Sequence, residues 1–206
     1  MNSARGKRAF RARLVVLVLP LVVAACGDSM QPSGSTPPAG GSASPSAAQE
    51  VNPGGDIPDT QAYIPYTFPA GAFKVTVPEG WARAVTSGVV TFTSHFNSIT
   101  LLTAAANSAP TTSYALAVEV PAIRRQSSGF VMGMVSAIVR TAGSVILVTY
   151  KAHSLADPVT GRFAMVAVER YEFWRNGIEA VVTLAAPVGA DNVDPWRTIT
   201  NSFTWH

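Results

Sequence analysis

The 206-residue chain has a single cysteine, Cys26. That excludes an internal disulfide, a CxxC redox pair and a zinc site built on several thiolates. Charge is also scarce: Asp, Glu, Lys and Arg make up 13% of the residues, about half the usual share. With 48% hydrophobic residues, the chain is not a disordered polyelectrolyte and can fill a core. The apolar run Leu14–Val23 stops at ten residues, well short of the roughly 20 that cross a bilayer as a helix. No HExxH, GxSxG, SxxK, GxGxxG or P-loop pattern occurs, which removes the motif-bearing zinc proteases, serine hydrolases and nucleotide binders.

The formal charge of +3 is a property of the N-terminus alone. Five of the fifteen cations (Arg5, Lys7, Arg8, Arg11 and Arg13) lie in the first thirteen residues, which hold no acid. The remaining ten cations face twelve acids, a net charge of −2. The basic balance therefore gives no support to nucleic-acid binding.

A basic leader, a ten-residue apolar run and a small-residue exit have the layout of a secretory signal peptide. The leader has no adjacent arginine pair, which points to the general secretory route. Its exit, Val23-Ala24-Ala25-Cys26, resembles the lipobox of bacterial lipoprotein precursors. The thiol of Cys26 is the one group there that can be alkylated by a diacylglycerol, and the small residues admit the peptidase to the Ala25–Cys26 bond. The expected mature chain starts at lipidated Cys26. Its partner is the membrane, and its location the extracytoplasmic face of the cell membrane. Arginine far outnumbers lysine, as in GC-rich actinobacteria.

Three regions follow. Residues 1–25 are expected to be a cleaved signal peptide. Residues 26–61 carry the lipidated cysteine and a tether rich in Pro, Gly, Ser and Ala. Too few large apolar residues occur there to offset the entropy of ordering, and a flexible coil of this length reaches roughly 30–35 Å. Residues 62–206 form one globular domain.

In that domain, alternating apolar positions predict strands at 72–77, 89–94, 99–104, 130–141, 144–152, 162–174 and 178–186. The near-continuous apolarity of 144–152 suggests a central strand. Asn176-Gly177 is a hairpin signal. Thr111 can cap a helix running to about Val120, which Pro121 is expected to limit. Asp194-Pro195 offers an N-cap for a short C-terminal helix that packs through Trp196 and Ile199. The fold class is α+β with a mostly antiparallel sheet.

Two stretches carry a family resemblance. Phe73…Val77-Pro78-Glu79-Gly80-Trp81 opens the domain, and Pro187-Val188-Gly189-Ala190-Asp191-Asn192…Trp196…Ile199…Ser202-Phe203 closes it. Both resemble PsbP-like domains, which also occur in actinobacterial surface lipoproteins. The resemblance implies an α/β/α sandwich, an antiparallel sheet covered by helices, and a binding or assembly role rather than catalysis. It carries over no ligand set.

No catalytic, metal or cofactor site emerges from residue spacing. His95, His153 and His206 share no ligand spacing with one another or with an acid. His153, Ser154 and Asp157 fall in one predicted loop, the best candidate for an envelope hydrolase of unrecognised type. Glu169 and Glu172 lie three apart on one strand and so face opposite sides. Tyr171, Phe173, Trp174, Trp81 and Trp196 read as core, with a lipid or glycan pocket as the alternative. Arg124-Arg125 reads as a solvated helix end. The expected function is a lipid-anchored accessory module without enzymatic activity, bound to an envelope protein or a small apolar ligand.

Overall fold

The computed structural model describes residues 54–69, 71–156 and 160–206. Cys26, the signal region, most of the tether and Asp157 lie outside them. No helix among the described residues is long and apolar enough to cross a membrane.

Antiparallel strands dominate. β1 (Tyr63–Thr67), β2 (Phe73–Pro78) and β10 (Thr204–Trp205) form a small sheet in the order β1-β2-β10. Seven strands form the large sheet: β3 (Ala82–Thr86), β4 (Val89–Ser94), β5 (Asn97–Ala105), β6 (Val131–Arg140), β7 (Gly143–His153), β8 (Met165–Arg175) and β9 (Ile178–Pro187). Their order is β3-β4-β5-β9-β8-β7-β6. The predicted strands all form. Strand 144–152, expected at the centre, is instead second from the edge, so its apolarity comes from burial on both faces and not from a central place.

Asn176-Gly177 makes the β8–β9 hairpin, with φ of 50° and 84°. Both values are positive, as a turn matched to strand twist demands. β6 slips register between Met132 and Val135. Gly133 permits this bulge, because a Cβ there would sit 2.4 Å from the Thr149 hydroxyl oxygen.

The helical segment runs further than expected. Thr111 caps it, its hydroxyl accepting from Tyr114 N–H at 3.1 Å. α1 (Thr112–Tyr114) leads into a π turn (Ala115–Glu119) and then α2 (Val120–Gln126). Pro121 does not end the helix. A proline lacks an N–H and crowds the carbonyl four residues back. The segment widens ahead of it, with Val120 N–H bonding Ala115 C=O, and then continues. α3 (Val193–Asn201) starts after Asn192, whose side chain makes no capping hydrogen bond, and not after Asp194. Asp194 sits in the first turn, 3.1 Å from Arg197.

The main core lies between the small sheet with α3 and one face of the large sheet. Phe203 stacks between Phe73 and Phe173, at centroid distances of 4.8 and 3.9 Å. Tyr171 and Phe173 are buried, and Trp81, Trp196 and Ile199 pack against or within the same core. Of the aromatic cluster, only Trp174 points to the opposite face, donating from its indole N–H to Ala106 C=O at 2.8 Å.

Residues 55–57 dock on the domain through Asn192, whose side chain accepts from Ile57 N–H at 2.7 Å and donates to Gly55 C=O at 3.0 Å. Ile57 is buried. Among the described residues, helices cover little of the large sheet: one face meets the small sheet and α3, the other only the α1–α2 segment. The helix-covered sandwich is thus a sheet-rich one with limited helical cover.

Candidate functional site

Side chains alternate across a strand, so register decides what shares a face. Thr91, Thr100, Thr183, Arg170 and Val148 are successive Cα partners across β4, β5, β9, β8 and β7. They form one row on the face opposite the main core. The next row is Thr93, Ser98, Ala185, Val168 and Tyr150. On β7 this face is apolar and buried under the helical segment, where Ile146 and Val148 meet Ala115 and Val120. On β4, β5 and β9 it is hydroxyl-rich, and a groove of about 530 Å³ opens over it.

The groove floor is Thr91, Thr100 and Thr183 with Val166 and Val168 beside them; its walls are the end of α2 and the loop after β7. Among its described lining residues there is no Asp, Glu, Lys or Arg. Hydroxyls both donate and accept, so such a floor suits an uncharged ligand with polar groups.

His153 sits in one wall, fixed by Ser128. The backbone N–H of His153 donates to Ser128 C=O at 2.8 Å, and its ring Nδ1 lies 3.1 Å from the Ser128 hydroxyl. Phe163 lies against the ring at 4.6 Å. Ser154, expected to accompany His153, is instead tied to its own loop: it donates to Leu155 C=O at 2.7 Å and accepts from Ala164 N–H at 3.0 Å. His95 lies at the opposite rim, and His206 is exposed at the C-terminus. The three histidines are not brought together as ligands. Arg124 and Arg125 are exposed, and Arg124 covers the Phe130 ring at 5.3 Å.

A second cluster adjoins the groove floor through Arg170. Its guanidinium lies 2.8 Å from Glu172 Oε1 and 3.7 Å from Glu119 Oε1. Glu119 comes from the π turn, Glu172 from β8, and Glu179 from β9, two residues before Val181, the Cα partner of Glu172. One carboxylate oxygen from each lies within 4.8 Å of the others. Glu172 is wholly buried. Burial, then the neighbouring Glu119, push its carboxyl up to about 8, against the pull of Arg170. Burial and Glu119 also raise Glu179.

Glu169 faces the other way, as strand alternation predicted, and accepts from the Tyr171 hydroxyl. Burial first, then that bond, push Tyr171 up to about 12. The Glu119–Glu172–Glu179 group escaped sequence reasoning because its members come from three elements. The one available signal was a glutamate directly before Val120-Pro121, inside the apolar stretch Ala115–Ile123 of the helical segment.

No family model matches the chain, and no curated protein does. Solved structures do. One is the solution structure of cyanobacterial PsbP (CyanoP) from Synechocystis sp. PCC 6803, with a TM-score of 0.50 and 12% identity, covering 74% of this chain and 98% of that one. Another is the Ran-binding protein Mog1p of Saccharomyces cerevisiae, with a TM-score of 0.49 and 10% identity, covering 71% and 96%. A Bacteroides thetaiotaomicron protein matches with a TM-score of 0.44 and 12% identity over 69% of this chain, which spans only 48% of that structure. At such identities the likeness bears on fold alone, and the fold of the described domain is PsbP-like.

Proposed function

We propose that this chain is an extracytoplasmic lipoprotein, anchored through Cys26, whose domain binds a small uncharged ligand on the open half of its large sheet without transforming it. The observation that carries the reading is the groove: about 530 Å³ over a hydroxyl-bearing floor, with no Asp, Glu, Lys or Arg among its described lining residues. The acid–base side chains of the lining are the imidazoles of His95 and His153 and the Tyr150 phenol, and no carboxylate among the described lining residues orients either ring. The hydroxyl floor beside Val166 and Val168 favours a ligand of mixed polarity over the small apolar ligand weighed from sequence. The lipobox supports the anchor: each buried methylene contributes about 0.8 kcal/mol, and two or more chains hold durably.

The test has two arms in intact cells. Cys26→Ser should move the protein from the membrane to the soluble fraction. A photo-reactive residue at Ser98, in the groove, should give a discrete adduct that the same residue at exposed Val85, on β3, does not. Unchanged membrane partition would remove the anchor, and identical adducts at both positions would remove the groove.

One observation favours a second reading, the hydrolase: the Ser128 hydroxyl lies 3.1 Å from His153 Nδ1. A nucleophile and base in contact are two parts of a triad. Covalent labelling of the native protein by a fluorophosphonate, abolished in Ser128→Ala, would favour this reading; no labelling would end it.

A further inference from the structure

We propose that Glu119, Glu172 and Glu179 form a site for a hard divalent cation of the Ca²⁺ class, between the helical segment and the large sheet. The hydrogen-bond inventory points there. Arg170 engages one oxygen of Glu172 and one of Glu119, Oε1 in both cases. The other oxygen of each, Oε2, is fully buried and accepts no hydrogen bond among the described residues, and the same is true of Glu179 Oε1. Glu172 has no solvent-exposed surface at all, so its free oxygen is out of contact with bulk solvent.

Buried acceptors without donors are costly. Here three of them belong to side chains whose carboxylates already lie within 4.8 Å of one another. What satisfies several convergent carboxylate oxygens at once is a cation.

Charge decides which cation. With all three carboxylates ionised, one guanidinium leaves two negative charges uncompensated. One shared proton would cancel one of them; a divalent ion cancels both. The donor set is oxygen only, which selects hard ions over zinc or copper. Ca²⁺ binds oxygens at about 2.3–2.6 Å, so ligands on opposite sides of the ion lie roughly 4.6–5.2 Å apart. Mg²⁺, at about 2.0–2.1 Å, spans only some 4.2 Å. A separation limit of 4.8 Å between one oxygen of each carboxylate is compatible with the larger span. Arg170 then acts as a positioning residue, engaging Oε1 of Glu119 and Glu172 and leaving Oε2 of each for the ion, in the manner of outer groups that orient metal ligands.

The site would also have a consequence for the groove. Glu119 belongs to the helical segment, and that segment ends at Gln126, whose neighbours Ser127 and Ser128 help wall the groove. An ion holding Glu119 to β8 and β9 would fix that wall.

Terbium tests the site, because it replaces Ca²⁺ on oxygen ligands and emits when a nearby indole is excited. Trp174 is the Cα partner of Glu179 across the β8–β9 hairpin and supplies the indole. The full-length chain, first treated with a chelator, should show sensitised Tb³⁺ emission that saturates at one equivalent. Ca²⁺ should displace it, and Glu179→Gln should weaken binding at least tenfold. Glu179 is only partly buried, and Gln keeps its shape, so the variant should remain folded. Folded wild-type protein without saturable emission overturns the proposal, as does emission unchanged in Glu179→Gln. A melting temperature that ignores Ca²⁺ but rises on acidification assigns the cluster to a shared proton and equally overturns it.

Discussion

The two faces of the large sheet are solved differently. The face toward β2 and α3 is closed by stacked rings and branched aliphatics, with Phe203 between Phe73 and Phe173. The face toward the α1–α2 segment is closed over β7 and around Glu172 and Val181, and open over β4 and β5. It carries threonines, a guanidinium and the carboxylates of Glu172 and Glu179, which Glu119 meets from the π turn. Folding can be driven by the first face alone, since burial of apolar area supplies most of the favourable free energy. The second face is therefore free to hold groups that cost stability, and such groups are where recognition is found.

Substitutions on the dry face should give the largest losses. Phe203→Ala should cost about 3–5 kcal/mol in chemical denaturation, because a fully buried ring leaves a cavity between two others. A loss under about 1 kcal/mol would mean that the stack is not the centre of the core.

Arg170→Met attacks the polar face where its charges are paired. Removing one partner of a buried pair typically costs about 3–5 kcal/mol, less whatever protonation of Glu172 recovers. The sign of that recovery is set by Glu172, whose carboxyl is raised from 4.5 to about 8. The folded state holds this proton more tightly than the unfolded chain. The associated stability is complete below about pH 4.5 and is lost as pH rises through about 8. With metal chelated, the wild-type melting temperature should fall across that window, and the deficit of Arg170→Met should widen with pH. A wild-type melting temperature that stays flat between about pH 4.5 and 8 would show that Glu172 is charged throughout.

Smaller effects are expected where each face meets solvent. Thr111→Ala removes the cap of the helical segment and should cost about 1 kcal/mol. Thr183→Val exchanges a floor hydroxyl for a methyl group and should change stability by no more than about 0.5 kcal/mol, while reducing groove occupancy. A large stability loss at Thr183 would make the floor structural and blur the contrast between the faces.

The dry face was legible in the sequence and the polar face was not. Strand alternation, the Asn176-Gly177 turn and the Trp196/Ile199 spacing all follow from local periodicity, and each marks apolar residues aimed at the core. β1 and β3 were missed for the converse reason: β3 is exposed throughout, so it has no apolar rhythm. Pro121 misled because its effect was absorbed by a π turn and not by a helix end. The Ser128–His153 contact and the three glutamates depend on register between strands and on where a helix lands. Spacing along one element does not encode either, which is why Glu172 was weighed against Glu169, its strand neighbour, and not against Glu119 or Glu179.

The central claim is that the open, hydroxyl-floored half of the sheet holds the ligand. Native mass spectrometry of the full-length chain, released gently from its own membranes, tests it against Ala185→Trp, which plugs the groove. The wild type should carry an additional small neutral mass that the plugged variant lacks. The same mass on both proteins, or on neither, would contradict the claim.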